Sequence, residues 1–140
     1  MAERALEILL ARVQSRSAFG KPLISLGNTQ QLVANLRIDL NLSRLAVREA
    51  ASVIDNKGIK AAIPLISTAK VCVPKMLLHV LDSAIQIHGA AGLSEDFPLA
   101  RMYASARTLR IADGVDDVHL QTIFKSELAT QKSGRLLARI

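Results

Sequence analysis

The chain has 140 residues, half of them hydrophobic, and a formal net charge of +6. This length fits one domain with a sizeable core, and seven glycines and four prolines exclude a collagen-like or disordered chain. The single cysteine, Cys72, excludes an internal disulfide and is compatible with a reducing compartment. Basic residues are spread along the chain and aromatic residues make up only 3%, which argues against a nucleic-acid-binding surface, since those need clustered charge and stacking platforms.

Hydrophobic spacing predicts a first helix over 2–15, followed by a loop at 19–22 that contains glycine and proline. A second helix is predicted to begin at the capping pair Asn28-Thr29 and to end at Gly58, which suits a left-handed cap. Its predicted buried stripe consists of Leu32, Leu36, Leu40, Ser43, Val47, Ala50 and Ile54.

A third helix is predicted from about Lys60 to the glycine turn at 89–92, with Pro74 expected to kink it or open its hydrogen bonding. Its predicted stripe consists of Ile66, Ala69, Val73, Met76, Val80, Ala84 and Ile87. A shorter helix follows over 98–111, and a last one begins after Gly114 and presents Val118, Ile123, Phe124 and Leu128. The tail from Thr130 is polar until Leu136.

These segments predict an all-α, antiparallel bundle without an internal repeat or alternating strands. Two helices near 40 Å, at ~1.5 Å per residue, would expose apolar ends and so favour an oligomer. The most apolar window, 71–87, is interrupted by Lys75, His79 and Asp82, so no membrane span is expected. The first residues lack a signal-peptide pattern, which indicates a cytoplasmic location if the source is bacterial and leaves the compartment open otherwise.

Two motifs could bind a ligand. Arg16 precedes a turn at the end of a helix, where its planar fork could bind phosphate, or where it could simply close the helix at the surface. Gln86 offers amide donors and acceptors, and Gly89 and Gly92 would let backbone N–H groups approach a ligand. The alternative for these glycines is an ordinary helix stop.

Asp113 is the candidate proton acceptor. It lies between the apolar pair Ile111-Ala112 and Gly114, so it could be half-buried and suited to proton abstraction. It could equally cap the last helix, together with Asp116. The three histidines lack a mutual spacing that would predict a metal site.

Three blocks of sequence resemble the C-terminal helical domain of acyl-CoA dehydrogenases. They are Arg-Ser-Ala-Phe-Gly-Lys-Pro-Leu at 16–23, Gln-Ile-His-Gly-Ala-Ala-Gly-Leu at 86–93 and Arg-Thr-Leu-Arg-Ile-Ala-Asp-Gly at 107–114. Their order and spacing match, and the branch of family members ten and eleven is the most similar. The resemblance implies the family's antiparallel four-helix bundle over 1–140, with the family's N-terminal and middle domains absent.

The resemblance also implies an FAD site and a catalytic base. Arg16 would contact the FAD pyrophosphate, with Ala18 and Phe19 nearby. The segment Gln86, Ile87, His88, Gly89 and Ala90 would line the adenosine side of a flavin held mainly by a neighbouring subunit. Val115 and Asp117 would contact the subunit's own flavin. Asp113 would remove the α-proton of an acyl-CoA thioester while the β-hydrogen leaves as hydride to the flavin.

Partners and departures follow from the same resemblance. It implies an acyl-CoA substrate, a homodimer or homotetramer, and an electron-transfer flavoprotein as acceptor. Asp113 stands where most members have the longer Glu, Val115 replaces a usual Thr, and Asp117 replaces a usual Gln. The fragment alone is expected to be inactive. The alternative is a non-catalytic helical module for self-association whose flavin residues are vestigial.

Overall fold

A computed structural model describes residues 1–132, which form five α-helices and one small hairpin. The helices are α1 (Ala2–Ser15), α2 (Gly27–Lys57), α3 (Ile59–His88), α4 (Leu99–Thr108) and α5 (Asp116–Lys132), and the strands are β1 (Ser17–Ala18) and β2 (Lys21–Pro22). Short 3-10 helices occupy Leu23–Ser25 and Gly89–Leu93. The predicted all-α class is confirmed.

The first helix, α1, has the predicted bounds because its apolar stripe continues to its last turn. Leu6, Leu9 and Val13 are all buried and face the core that α2 and α3 complete. Across that contact the Glu3 carboxylate binds the Arg37 guanidinium through two bonds of 2.8 and 2.9 Å. The pKa of Glu3 is therefore lowered. The resulting ion pair ties the start of α1 to α2.

The predicted loop at 19–22 is a tight β-hairpin in which Ser17 pairs with Pro22 and Ala18 with Lys21. Both residues of its turn have positive φ, 55° at Phe19 and 75° at Gly20. This is the geometry that right-twisted two-residue hairpins require. A phenylalanine in this conformation costs of order 1–3 kcal/mol.

The second helix, α2, begins one residue before the predicted cap. Leu26 occupies the capping position without a side-chain bond, so the assignment of Asn28-Thr29 as cap is wrong, and Thr29 is instead buried within the first turn. The end at Gly58 is confirmed, but with φ of 81° and ψ of 166° the glycine is extended on the positive-φ side and not in the predicted left-handed helical conformation. In the predicted stripe, Val47 is 47% exposed rather than buried.

The central element of the fold is α3, which packs against all four other helices. Only Val80 and Ala84 of the predicted stripe are buried, and its other members are half-buried. The buried face of α3 also includes Val71, Leu77 and Leu81, which the prediction omits. The helix continues unbroken through the buried Pro74. Segment 59–93 also has the length and mean hydropathy, 1.5, of a membrane-crossing helix, with a third of its most apolar window buried. Its contacts with four helices are those of a bundle core.

The last two helices frame a longer connection than the sequence indicates. Helix α4 ends at Thr108, three residues early, and residues 109–114 form a series of turns before α5. The apolar residues predicted on α5 are largely exposed, including Phe124 at 61%. The predicted polar tail begins at Thr130, and its residues 130–132 form the end of α5. The rest of that prediction, from 133 onward, lies outside the described residues.

Candidate functional site

One group of predicted site residues lies where α1 ends. The Arg16 N–H donates to the Arg12 carbonyl (2.9 Å), and the Arg16 carbonyl accepts from the Leu23 N–H, so the backbone closes the helix. Within residues 1–132 the Arg16 guanidinium is exposed and has no acidic partner. Ala18 is half-buried in the hairpin, whereas Phe19 stands at its tip with 99% of its surface exposed. A free cation and an unpacked aromatic ring therefore project from the same short segment.

The second predicted motif, at the end of α3, lies close to α1's last turn. The ends of the two helices line a shared groove of about 400 Å³, whose wall includes Ser15, His88 and Phe97. Gln86 and Ala90 are exposed and Ile87 is half-buried. Arg16, Phe19 and residues 86–90 thus belong to one end of the bundle, which we call the hairpin end.

His88 points into the core at this end. The residue is 4% exposed, its Nδ1–H donates to the Ala84 carbonyl (2.7 Å), and its ring meets the Phe97 ring edge-on at 4.5 Å between centroids. These contacts give the side chain a structural role and leave little of it exposed to a ligand.

The two glycines of this motif have different roles. Gly89 has φ of 64°, and a Cβ there would meet no atom within 4 Å, so it is an open helix stop from which the backbone can be approached. Gly92 instead packs on α3, because a Cβ there would lie 2.8 Å from the Ile85 carbonyl oxygen. Close packing against α3 therefore accounts for the glycine at position 92.

The turn between α4 and α5 carries Asp113 at φ of 55°. Its carboxylate is exposed, and among the described residues it has no hydrogen-bond partner. The expectation of half-burial is wrong for this chain, since Asp113 is exposed at the surface. The capping alternative is wrong as well, since the carboxylate binds no N–H group of α5. What remains is an unengaged carboxylate on a backbone of unusual conformation.

This turn is held by contacts that the sequence does not reveal. The Lys70 Nζ donates to the carbonyls of Leu109 (2.5 Å) and Ala112 (2.6 Å). The His119 Nε2–H donates to the Asp113 carbonyl (3.3 Å), and its Nδ1 lies 3.4 Å from the Oγ of buried Ser67. Separations of 39 and 42 residues leave no local pattern from which the lysine contacts could be predicted.

The end of the turn is fixed by an ion pair. The Asp116 carboxylate accepts from the Arg110 Nε (2.9 Å) and a second guanidinium nitrogen (2.6 Å), and Lys75 lies 3.9 Å away. These cations hold the pKa of Asp116 below its ordinary value. Beside it, Val115 and Asp117 are exposed where α5 begins, so they share a surface with Asp113.

An apolar groove borders Asp113. A cavity of about 340 Å³ is lined by Val47, Ile66, Val73, Leu109 and Asp113 among others. A second, of about 290 Å³, shares Val47 and Val73 and extends to Met1. Together they form a largely apolar groove along α2 and α3 that ends at the carboxylate.

The two groups of predicted site residues are far apart within one chain. Lys70 touches the Asp113 turn and His88 lies at the hairpin end, and 18 residues of α3 separate them. At ~1.5 Å per residue this is roughly 27 Å along the helix axis. Among the described residues, no three His, Cys, Asp or Glu side chains are grouped to hold a metal ion.

Residues 1–128 match the family model described as the acyl-CoA dehydrogenase C-terminal domain. The chain belongs to the acyl-CoA dehydrogenase family. It shares 46% identity over 132 residues with FadE2 of Mycobacterium tuberculosis, described as a probable acyl-CoA dehydrogenase, covering 94% of this chain and 32% of that protein. Mouse acyl-CoA dehydrogenase family member 10 is 48% identical over 130 residues, which are 93% of this chain and 12% of that protein.

A solved acyl-CoA dehydrogenase-type structure from Mycobacterium abscessus has the same fold. It superposes with a TM-score of 0.90 at 48% identity, over 93% of this chain and 32% of the other. The chain therefore spans a third or less of the acyl-CoA dehydrogenases that it matches here.

Proposed function

We propose that this chain acts as the C-terminal part of an FAD-dependent acyl-CoA dehydrogenase, in which Asp113 removes the α-proton of an acyl-CoA thioester. The observation that carries the proposal is the state of Asp113. It is an exposed carboxylate without a partner among the described residues, held on a braced turn at the end of an apolar groove. A carboxylate that no other group engages is free to accept a proton from a substrate placed within hydrogen-bond reach.

The shorter side chain has a geometric consequence. Aspartate reaches about 1.5 Å less than glutamate, one C–C bond. The φ of 55° at Asp113 and of 98° at Gly114 gives the turn a course that ordinary residues rarely adopt. We infer that this backbone course brings the shorter carboxylate to the substrate.

The hairpin end fits the phosphate groups of FAD. The Arg16 guanidinium has no acidic partner within 1–132, and its planar fork matches phosphate oxygens. Ala18, Phe19, Gln86, Ile87, the backbone of His88, Gly89 and Ala90 would complete this part of the site, and Val115 and Asp117 would meet a flavin beside Asp113. When bound, FAD supplies the acceptor for the hydride that leaves the β-carbon.

The 27 Å separation favours a shared site. One chain does not bring Arg16 and Asp113 together, so we infer that the hairpin end of one subunit completes the site that holds Asp113 of another. Exposed apolar residues on α2 support this assembly. Ile38, Leu42 and Leu45 are 52–60% exposed and repeat at helical spacing, as they would at an interface between copies. An electron-transfer flavoprotein is the proposed electron acceptor.

Replacing Asp113 tests the proposal. In the polypeptide that contains this chain, Asp113→Asn should lower acyl-CoA-dependent dye reduction by at least about 100-fold, because the amide cannot accept the proton. The visible absorbance of bound flavin should be unchanged, since the substitution preserves shape.

The matched control is Asp55→Asn, which alters an exposed carboxylate on α2 that lines neither cavity beside Asp113 and should leave the rate unchanged. Undiminished turnover by the Asp113 variant would reject the assigned base. A parent protein that binds no flavin in a fluorescence titration would favour the alternative, a module for self-association.

A further inference from the structure

The backbone on both sides of Asp113 is held by side chains from other elements. The Ala112 carbonyl, which precedes Asp113, accepts from the Lys70 ammonium at 2.6 Å. The carbonyl of Asp113 itself accepts from the His119 ring at 3.3 Å. These two carbonyls belong to the two peptide planes that flank the Asp113 Cα, so fixing both planes fixes the direction of its Cα–Cβ bond.

Lys70 is well placed for this contact. It lies on α3, the central helix, with its stem half-buried against the groove beside Asp113. Within residues 1–132 its ammonium has no carboxylate partner, and it donates to the Leu109 and Ala112 carbonyls. Those oxygens follow the end of α4, where the helix dipole favours a cation.

His119 acts from the other side of the turn. Its Nδ1 lies 3.4 Å from the hydroxyl of Ser67, which is buried on α3 one turn before Lys70. If Ser67 donates to Nδ1, the proton of the neutral ring stays on Nε2, which is the atom that faces the Asp113 carbonyl. Gly114 leaves room for the ring, since a Cβ there would lie 3.0 Å from Nε2.

We propose that Lys70 is a positioning residue for Asp113 and that His119 acts with it. The inference rests on the proposed function, because it assigns these residues a role in aiming the base. Aspartate has a single methylene between Cα and carboxylate, so its oxygens follow the backbone closely. A displacement of about 1 Å at a reacting group can cost on the order of 100-fold in rate.

The experiment measures flavin reduction by acyl-CoA in a single turnover, using the flavin-loaded polypeptide that contains this chain. Lys70→Met keeps the length of the stem and removes the donor. It should lower the rate constant at saturating substrate by roughly 10- to 100-fold, with the half-saturating concentration changed less than about 3-fold. An α-deuterated substrate should show a larger isotope effect than with the wild type, because proton removal becomes more strongly rate-limiting.

Two companion variants separate positioning from general damage. Lys70→Arg restores donors for both carbonyls and should recover the rate to within about 5-fold of the wild type. Lys60→Met removes an exposed lysine from the same helix and should change nothing. A Lys70→Met enzyme with an unchanged rate constant and isotope effect would overturn the inference.

Asp113→Asn, measured in parallel, distinguishes a failure of the positioning role from a failure of the proposed function. If that variant is inactive while Lys70→Met is fully active, the positioning role fails and the proposed base stands. If Asp113→Asn is fully active, the proposed function fails first. Should Lys70→Met not yield a folded, flavin-loaded protein, His119→Ala decides: a rate lowered by at least about 3-fold with unchanged flavin content supports the brace, and an unchanged rate refutes it.

Discussion

The ion pair of Asp116 contributes to the stability of the fold. Its carboxylate receives two bonds from Arg110, and Lys75 lies nearby, so its pKa is lowered. The folded protein therefore binds this proton less tightly than the unfolded chain does. The pair stabilises the fold above the ordinary pKa of 3.8, and the contribution is lost as the pH falls through the lowered pKa.

A pH series tests this assignment. Asp116→Asn should lower the melting temperature of the protein at pH 7, and the difference from wild type should shrink as the pH falls below 3.8 and through the lowered pKa of Asp116. Asp55 is exposed and has no ion pair within residues 1–132, so Asp55→Asn should leave the melting temperature unchanged throughout the pH series. A difference that persists unchanged in acid would mean that the amide damages packing rather than an ion pair.

For single residues, the sequence indicates which side chains have the functional groups of a site, but it does not indicate how buried they are or what they contact. The residues in the three blocks are sufficient to single out Arg16, Gln86 and Asp113. They do not reveal that Asp113 is exposed, that His88 is buried or that Gly92 lies against a carbonyl, because each depends on contacts with another element. Lys70 and His119 could not be predicted as a brace for the same reason.

At the scale of elements, the packing at the end of α3 requires the 3-10 helix at Gly89–Leu93 to lie very close to α3. Gly92 lies so near α3 that an added Cβ would be 2.8 Å from the Ile85 carbonyl oxygen and 2.9 Å from its Cα. Both atoms belong to the backbone of a helix, so they cannot move aside like a flexible side chain. This contact fixes the chain that directly follows residues 86–90 at the hairpin end.

Gly92→Ala is therefore expected to destabilise the protein by about 1–3 kcal/mol, the usual cost of forcing extra volume into a packed site. Urea unfolding measures it. Gly27→Ala is the control, because a Cβ there meets nothing within 4 Å, and stability should stay equal or rise slightly. Equal stability of wild type and Gly92→Ala would show that the two elements can separate at little cost.

Helices with a regular hydrophobic period can be predicted from the sequence, whereas short strands and irregular turns cannot. The spacing of Leu6, Leu9 and Val13 places α1 correctly. Two-residue strands show no alternation, so the hairpin at 17–22 is indistinguishable from a loop in the sequence. The early end of α4 was missed because the turns after Thr108 are built from residues that also suit a helix.

For the whole molecule, the exposed apolar residues Ile38, Leu42 and Leu45 on α2 lead to a prediction about the oligomeric state in solution. Leu42→Asp combined with Leu45→Asp should reduce the mass measured by light scattering to that of a single polypeptide, because two charges would have to be buried at the interface between copies. Asn41→Asp adds a charge beside the stripe at an already polar, exposed position and should leave the assembly intact. An unchanged mass for the double variant would place the interface elsewhere.

The distance between the hairpin end and the Asp113 turn has a genetic consequence. In the proposed assembly, a copy that lacks the Arg16 guanidinium still contributes a sound carboxylate, and a copy that lacks the Asp113 carboxylate still contributes a sound hairpin. A cell that carries one defective allele of each kind would build mixed particles in which the two intact halves meet. Two alleles that are each null alone would then complement each other, whereas two lesions at the same end would not.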